Sequence, residues 1–438
     1  MDPLAYLYSL EKLGIKFGLD NIRTICDALG DPQAAWPSVI VAGTNGKGSV
    51  AAMVETGLRA AGLHTGLYTS PHLVRLEERF AVDGQPIDTA SLVDAAATVQ
   101  ASVRRLRETS RLATEPTFFE ASTAIAFELF RRAGARFVVL EVGLGGRFDA
   151  TNVATPVAAA ITTIDFDHEQ FLGHTIAAIA GEKAGVIKPG MRVVVGETKR
   201  EAVAVIEGAC RERGATMIAA ADGVRAEITG FDEGRATLAL ETPRCCYGRL
   251  RLALRGRHQV GNAIVAARLL EEVDALGTAI PPDAIRSALT LTRWPGRLDL
   301  LTGRDGRRVL CDSAHNPAGA RVLSEYLREF HPGGLPLVFG IMKDKDVGGT
   351  LQPLLASATH LVVTRAHINR ALDPEALAAT ARRSGRVVPV DVEPDPGGAL
   401  DRAWSYAPTI CAAGSIFLIG EVLDRVQRGR DLPASPLC

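Results

Sequence analysis

The sequence lacks the features that mark secreted, membrane-spanning or nucleic-acid-binding proteins. None of its seven cysteines forms a Cys-x-x-Cys pair, which argues against a zinc site or a disulfide framework and favours a reducing cytosol. No apolar run approaches the ~18 residues of a membrane span, and residues 1–6 have no basic or long apolar segment typical of a signal peptide. Lysine and arginine total 49 against 50 acidic residues, so no overall field favours nucleic acid or an anionic membrane. We therefore expect a soluble, cytoplasmic protein that holds any anionic ligand with local groups.

The order of the hydrophobic patterns predicts an α/β fold. Apolar runs alternate with helical patterns as far as about residue 214, which is typical of a doubly wound parallel sheet. Residues 215–256 alternate in short stretches and predict a small antiparallel sheet, and residues 261–270 predict a helix. Strand and helix patterns then restart and predict a smaller Rossmann-like α/β unit, with its fourth strand over 387–390.

The length predicts two domains, because 438 residues exceed what one hydrophobic core comfortably holds. Residues 276–297 are rich in proline, glycine and threonine and are the best linker candidate. We expect an N-terminal domain over 1–293, a hinge over 294–297 and a C-terminal domain over 298–438.

Residues 39–49 combine a buried strand, a glycine loop and the start of a helix. Such a joint presents backbone N–H groups and a helix N-terminus to phosphate oxygens, as in a P-loop. Lys47 would reach the outer phosphates and Ser49 would offer its hydroxyl to Mg²⁺. The spacing departs from the usual P-loop pattern because Gly48 separates the two. The alternative is a tight turn that merely contains a lysine.

Polar residues follow three other predicted strands. Glu141 ends the run 137–140, and a buried carboxylate is costly unless it meets a cation such as phosphate-bound Mg²⁺. Ser70 and His168 follow two further strands, and the carboxyl ends of parallel strands share one ligand-binding edge. A turn at Ser70 and a structural histidine are the alternatives. Glu120 lies three residues after Thr117, and this spacing predicts a helix capping box. The capping box is the structural alternative to any binding role for Glu120.

Several motifs together resemble one family, the folylpolyglutamate synthases/dihydrofolate synthases of the Mur ligase superfamily of ATP-dependent amide ligases. The similarity runs in order from about residue 4 to residue 423, and segment 141–152 is specific to the folate branch. The motifs that carry it are residues 43–49, 70–73, 141–152, 167–168, 182–185, 295–297 and 312–317.

The resemblance implies a role for each matched residue. It implies that ATP is bound by Thr44, Asn45, Gly46, Lys47, Gly48, Ser49, Asn262, Arg297 and Asp312. It implies that Mg²⁺, at two sites, is held by Ser70, Glu141, His168 and a carbamylated Lys183. It implies that dihydropteroate is bound by Thr117, Phe118, Phe119, Glu120, Phe148, Asp149 and Ala150. The catalytic residues that it implies are Lys47, Lys183 and His315.

The activity that follows is an ADP-forming ligase that adds L-glutamate to dihydropteroate and to reduced folates through an acyl phosphate. Its expected partners are these small molecules alone, and we expect a monomer. One alternative is a synthase that only extends polyglutamate tails, although Ala150 favours the dihydrofolate-synthesising type. A Mur-type cell-wall ligase is a second alternative, against which segment 141–152 argues. A nucleotide-driven switch is the third, but it has no need for Lys183, His168 and Asp312 together.

Overall fold

The computed structural model describes residues 2–14 and 16–431. The outer ends of the two predicted domains, at residue 1 and at residues 432–438, lie outside the described residues, as does Cys438.

The first sheet has eight strands and takes in the predicted P-loop strand. The strands are β1 Ser38–Ala42, β2 Thr65–Tyr68, β3 Phe80–Val82, β4 Gln85–Pro86, β5 Phe137–Glu141, β6 Ala158–Ile161, β7 Arg192–Val195 and β8 Thr216–Ala219. Their order is β4-β3-β2-β5-β1-β6-β7-β8. All pairs are parallel except β2–β3 and β3–β4. The short antiparallel edge strands β3 and β4 were not predicted.

Eight helices accompany this sheet in the described chain. They are α1 Pro3–Ser9, α2 Asp20–Ala28, α3 Lys47–Ala60, α4 Thr89–Glu108, α5 Phe118–Ala133, α6 Glu169–Leu172, α7 Ile176–Ala184 and α8 Arg200–Glu212. A helix after the glycine loop was predicted, and α3 begins within that loop motif, at Lys47.

A three-stranded antiparallel sheet and two helices follow. The elements are β9 Arg225–Asp232, β10 Arg235–Glu241, β11 Cys246–Arg255, α9 His258–Ala275 and α10 Pro282–Leu291.

Three predictions for this part of the chain were wrong in detail. Strand β8 pairs in parallel with β7, so the antiparallel sheet begins later than residue 215. Helix α9 begins at His258 rather than 261, and α10 occupies ten residues of the predicted linker.

Strand β1 shows why the first sheet is covered on both faces. Ile40 and Ala42 belong to one hydrophobic core, to which α5 also contributes. Val39 and Val41 belong to a second core, which contains side chains of α3, α9 and α10. Because neighbouring residues of a strand point to opposite faces, a continuous apolar run is buried on both sides.

The third sheet has six strands. They are β12 Asp299–Thr302, β13 Arg308–Asp312, β14 Leu335–Phe339, β15 Ala358–Val363, β16 Val390–Val392 and β17 Thr409–Ala413, in the order β12-β13-β17-β14-β15-β16. Only β12, which was not predicted, is antiparallel to its neighbour. The prediction of a strand over 387–390 was wrong, because Val387 is fully exposed and β16 begins at Val390.

Five helices complete this part of the chain: α11 Pro317–Phe330, α12 Val347–Leu355, α13 Pro374–Arg383, α14 Pro396–Trp404 and α15 Ile416–Asp431. We call residues 2–291, with the first two sheets, the first unit, and residues 299–431, with the third sheet, the second unit. Within the described chain no helix has the length and apolar character needed to cross a membrane.

The two units meet where Leu73, in the loop after β2, packs against the second unit. This side chain joins a hydrophobic core formed by second-unit residues. Its carbonyl oxygen comes so close to α15 that a Cβ atom at Gly420 would lie only 1.8 Å away. Position 420 therefore has to be glycine for the loop and the helix to pack in this way.

Replacing Gly420 by alanine is expected to lower the free energy of unfolding by about 1–3 kcal/mol, because the new methyl group forces the loop and α15 apart. Gly208→Ala on α8 is the matched control, because nothing lies within 4 Å of the added Cβ there. Removing a helical glycine should raise the unfolding free energy of this control by up to about 1 kcal/mol. Chemical denaturation measures both, and equal changes in the two variants would contradict the described contact.

Candidate active site

The glycine loop between β1 and α3 is fixed by bonds to the segment that follows β6. Thr44 N–H donates to the carbonyl oxygen of Thr163 at 2.7 Å, and the Thr44 hydroxyl donates to the carbonyl of Asp165. The backbone N–H of Asp165 donates in return to the Thr44 hydroxyl. These bonds hold the loop against the edge of the sheet, with the first turn of α3 directly behind it.

Two lysines converge on one carbonyl oxygen of this loop. Lys47 Nζ donates to Gly43 O at 3.1 Å, and Lys183 Nζ, from α7, donates to the same oxygen at 2.8 Å. Burial, and next the charge of Lys47, lower the pKa of Lys183 to about 7. Burial also lowers the pKa of Lys47, although Glu141 and other carboxylates oppose this. An anion such as phosphate beside Lys47 would favour the charged form of its amine.

Helix α9 supports the start of α3 through side-chain amides. Gln259 Nε2 donates to the Ser49 hydroxyl at 3.2 Å, and Asn262 Nδ2 donates to Gln259 Oε1 at 2.9 Å. Asn262 Oδ1 also lies 2.5 Å from the position that a Cβ of Gly46 would take. Asn262 thus touches the glycine loop, its nucleotide contact remains a prediction, and sequence reasoning missed Gln259.

Glu141 reaches back from the end of β5 to the loop after β2. The backbone N–H of Ser70 donates to Glu141 Oε2 at 3.1 Å, so the two predicted metal ligands are in contact. Glu141 is only 5% exposed, and burial raises the pKa of its carboxyl group, with the charge of Lys47 opposing the rise.

Asp167 of the first unit gathers donors from the second. Lys345 Nζ donates to its Oδ1 at 2.7 Å, Asn316 Nδ2 donates to its Oδ2 at 3.0 Å, and His315 Nε2 lies 3.4 Å from Oδ2. Burial alone would raise the pKa of Asp167, but the hydrogen bond and charge of His315, with the charges of His168 and Lys345, hold it well below its usual range. The two units are therefore joined beside the glycine loop.

His168 lies next to this network. Its Nε2 is 3.2 Å from Lys345 Nζ, and burial lowers its pKa to about 4, with the charge of Asp167 opposing the fall. At neutral pH the ring is thus uncharged, the form in which imidazole binds metals. Among the residues that the structure describes, no group of three or more His, Cys, Asp or Glu side chains is arranged to hold a metal ion. The predicted set, which includes a serine, remains a prediction.

Asp312, the last residue of β13, fixes the backbone on both sides of it. Its two carboxylate oxygens accept the backbone N–H groups of Leu298 and Ala314, both at 2.9 Å. Burial raises its pKa, while the charge of Arg297 opposes the rise. His315 Nδ1 lies 2.8 Å from the carbonyl oxygen of Ser313.

The two segments predicted to bind dihydropteroate, residues 117–120 and 148–150, contain side chains that are used within the protein itself. Both hydrogen bonds of the capping box between Thr117 and Glu120 are present, so the structural alternative for Glu120 is confirmed. Asp149 uses one oxygen for the N–H groups of Gly143 and Leu144 and the other for Thr151. Its carboxylate therefore holds its own loop together.

One large cavity, of about 980 Å³, connects these groups between the units. Its described lining includes the glycine loop and the side chains of Ser70, Phe118, Phe119, Glu141, His168, Lys183, Asn262, Arg297, Asp312, His315 and Lys345. Of the predicted acceptor residues, Thr117, Glu120, Phe148, Asp149 and Ala150 are not among the described lining residues. Phe148 is 44% exposed and packs edge-on against Phe17.

Comparison with known families agrees with the two-unit architecture. A family model described as Mur ligase middle domain matches residues 41–270, and one described as Mur ligase, glutamate ligase domain matches residues 296–418. With the glycine loop and the cavity between two α/β units, these matches define the class of protein, a Mur ligase.

Curated relatives narrow the class. A dihydrofolate synthase/folylpolyglutamate synthase of Mycobacterium tuberculosis is 38% identical over 405 residues, covering 87% of this chain and 82% of the relative. A probable bifunctional folylpolyglutamate synthase/dihydropteroate synthase of Haloferax volcanii is 36% identical over 431 residues, covering 96% of this chain and 50% of the relative. The chain thus spans about half the length of that relative. It belongs to the folylpolyglutamate synthase/dihydrofolate synthase family.

Solved structures confirm the predicted fold class. The folylpolyglutamate synthase of Mycobacterium tuberculosis complexed with ADP and AMPPCP has a TM-score of 0.89 and 34% identity, and the match covers 97% of this chain and 99% of that one. A bifunctional folylpolyglutamate synthase/dihydrofolate synthase with Mn, AMPPNP and L-glutamate bound has a TM-score of 0.84 and 29% identity, with 98% of each chain covered.

Proposed function

We propose that the chain is an ATP-dependent, ADP-forming ligase that adds L-glutamate to dihydropteroate and to reduced folates. The observation that carries the proposal is the amine of Lys47, which donates to two carbonyl oxygens of a glycine loop at a helix N-terminus. Such an arrangement suits the terminal phosphates of a nucleotide. The choice of a folate-type acceptor is supported by the name of the relative from Mycobacterium tuberculosis. The choice of L-glutamate is supported by its presence in a related solved structure.

The reaction needs activation of a carboxylate, because a carboxylate oxygen is a poor leaving group. Transfer of the γ-phosphoryl group of ATP gives an acyl phosphate and ADP. The amine of L-glutamate then attacks the acyl carbon, and phosphate leaves as the amide forms. In this proposal Lys47 offsets the negative charge on the transferred phosphoryl oxygens, and the cavity between the units brings the three reactants together.

The donors present suit a divalent metal. Glu141 offers a buried carboxylate, Ser70 a hydroxyl and His168 an uncharged imidazole. Oxygen and imidazole donors of this kind bind magnesium or manganese. A metal held there would supply positive charge to the phosphate oxygens. Thr44 to Ser49, Asn262, Arg297 and Asp312 remain the proposed nucleotide residues, and residues 117–120 and 148–150 the proposed acceptor segments.

The proposed domains remain 1–293, a hinge over 294–297, and 298–438, with His315 as a proposed catalytic residue at the cavity between them. We also propose the cytosolic location predicted from the sequence. We also propose that the chain acts as a monomer on small molecules only.

A substrate panel tests the activity. Purified protein with ATP, Mg²⁺ and L-glutamate is given dihydropteroate, tetrahydrofolate or a UDP-muramoyl acceptor, and products are measured by mass. Glutamate-dependent ADP release with either folate-type acceptor is the expected result. Product with the muramoyl acceptor alone would favour the cell-wall ligase, and ADP release that ignores glutamate would favour the switch.

We propose further that Lys183 is carbamylated. With a pKa of about 7, a large share of its amines is uncharged at neutral pH and able to attack CO₂, with loss of one proton. The new carboxylate would be a ligand for a second metal. Because only the uncharged amine reacts, the carbamate signal of ¹³CO₂-labelled protein in NMR should grow as the pH rises through about 7.

Lys183→Ala is expected to lower kcat by about 10²-fold, because the carboxylate that would hold a second metal is lost. Acetate or bicarbonate should restore part of the activity by replacing the carboxylate. Lys188→Ala is the control, since this lysine also donates to a backbone carbonyl, that of Asn152, but does not line the cavity. Full loss without any rescue would contradict the carbamate.

A further inference from the structure

Arg79, which directly precedes β3, is buried without a carboxylate partner. The residue is 8% exposed, its Nε donates to Nδ1 of His72 at 2.9 Å, and its guanidinium lies 5.0 Å from the ring centre of Phe118. Within the described chain no carboxylate lies within ion-pair distance of it. Glu11 and the phenols of Tyr8 and Tyr68 are the remaining groups whose charge or hydrogen bonding acts on it.

Other buried arginines in the chain show what is unusual here. Arg255 is as buried as Arg79 and pairs with Glu233 at 3.4 Å, and Arg268 is 6% exposed and pairs with Glu271 at 2.8 Å. A buried cation is costly unless an anion or several hydrogen bonds compensate it. The imidazole nitrogen of His72 and the ring face of Phe118 compensate only part of the hydration that the Arg79 guanidinium loses on burial. Arg79 therefore lacks the anion that comparable residues have.

The position of Arg79 indicates where such an anion would come from. Its carbonyl oxygen accepts the backbone N–H of Thr69 at 3.1 Å, which places it beside the loop of Ser70. On its other side lies Phe118, in the first predicted acceptor segment. Arg79, His72 and Phe118 all line the cavity. The backbone of Arg79 thus adjoins the loop of the proposed metal ligand, and its guanidinium lies against the proposed acceptor segment.

We propose that Arg79 binds the α-carboxylate of a glutamate-tailed acceptor. This rests on the proposed function, in which the carboxylate that reacts lies beside Lys47 and Glu141. When the acceptor ends in glutamate, the reacting γ-carboxylate has an α-carboxylate a few bonds away on the same residue. When the acceptor is dihydropteroate, the reacting carboxylate is attached to an aromatic ring and no second carboxylate exists. Arg79 would therefore serve tail extension and be dispensable for dihydrofolate synthesis.

The test compares the two acceptors in one variant. Arg79→Gln is expected to raise KM for tetrahydrofolate about 10- to 100-fold, the size of a lost charge-assisted pair. KM for dihydropteroate should change less than about threefold, and KM for L-glutamate should not change. Arg75→Gln is the matched control, because this arginine of the same loop has a side chain that is 69% exposed. It should leave all three constants unchanged.

An acceptor analogue makes the test independent of folding. Tetrahydrofolate with an α-carboxamide in place of the α-carboxylate should bind the wild-type protein as weakly as tetrahydrofolate binds Arg79→Gln. The variant should not distinguish the two acceptors. Equal losses for dihydropteroate and tetrahydrofolate, or no loss for either, would overturn the proposal, as would a wild-type protein that uses dihydropteroate but no glutamate-tailed acceptor. A wild-type protein that uses neither acceptor would instead refute the proposed function.

Discussion

Replacing Lys47 by alanine is expected to lower the rate of glutamate-dependent ADP release by about 10³-fold, at the upper end of what loss of one preorganised charged donor costs. The side chain is already positioned, since it donates to Gly43 O and Thr44 O, both at 3.1 Å. No reorganisation is then needed when the phosphoryl group moves. Because the charge acts on the transferred group, kcat should fall together with kcat/KM.

Lys343→Ala is the control for this variant. Lys343 also donates from Nζ to a backbone carbonyl, that of Asn369, at 3.0 Å, but on the exposed surface of the second unit. Its activity should equal that of the wild-type protein. Normal turnover of dihydropteroate by Lys47→Ala would remove the role assigned to the lysine, and an altered denaturation midpoint would show that folding, not charge, had changed.

The second large effect is expected at Glu141, where activity and stability should change in opposite directions. Glu141→Ala and Glu141→Gln should each lower kcat by about 10³-fold, because the carboxylate is lost from the phosphate site. The glutamine variant keeps the size of the side chain and can still accept the N–H of Ser70. Burial raises the pKa of Glu141 above its unfolded value, so the charged form destabilises the fold above that unfolded pKa. The neutral glutamine should therefore match or exceed the wild-type unfolding free energy at pH 7.

Activity assays and chemical denaturation at pH 7 check both halves of this expectation. As the pH falls and Glu141 becomes protonated, the stability advantage of the glutamine variant should shrink. A glutamine variant that is much less stable than the wild-type protein would mean that the charge of Glu141 supports the fold. A fully active glutamine variant would exclude the carboxylate from the reaction.

Local patterns were sufficient to predict two elements of the first unit. The apolar run of β1 and the capping box at the start of α5 depend on neighbouring residues, and both appear as expected. The predicted linker over 276–297 was too long because prolines were read as breakers. Pro281 and Pro282 instead begin α10, where proline is well tolerated, and Ile285, Ala288 and Leu289 then form its buried face.

The site was harder to predict, because parts of it depend on how the two units meet. Lys345 lies in a loop after β14, and nothing in its local sequence indicates that it reaches Asp167 across the cavity. The glycine at position 48, which departs from the usual P-loop pattern, is required by a residue far away in the sequence. A Cβ there would lie 2.8 Å from the indole of Trp294, in the segment between the units. The resemblance supplied roles for matched positions, but contacts between the units required the structure.

The seating of Leu73 in the second unit has a consequence for engineering. The loop from Ser70 to Leu73 has one end at the proposed metal site and the other in a hydrophobic core of the second unit. A chimaera that took residues 299–431 from a relative with a different surface at Gly420 would lose the packing contact between Leu73 and the second unit. Exchanging the units between relatives therefore requires transplanting the loop together with α15.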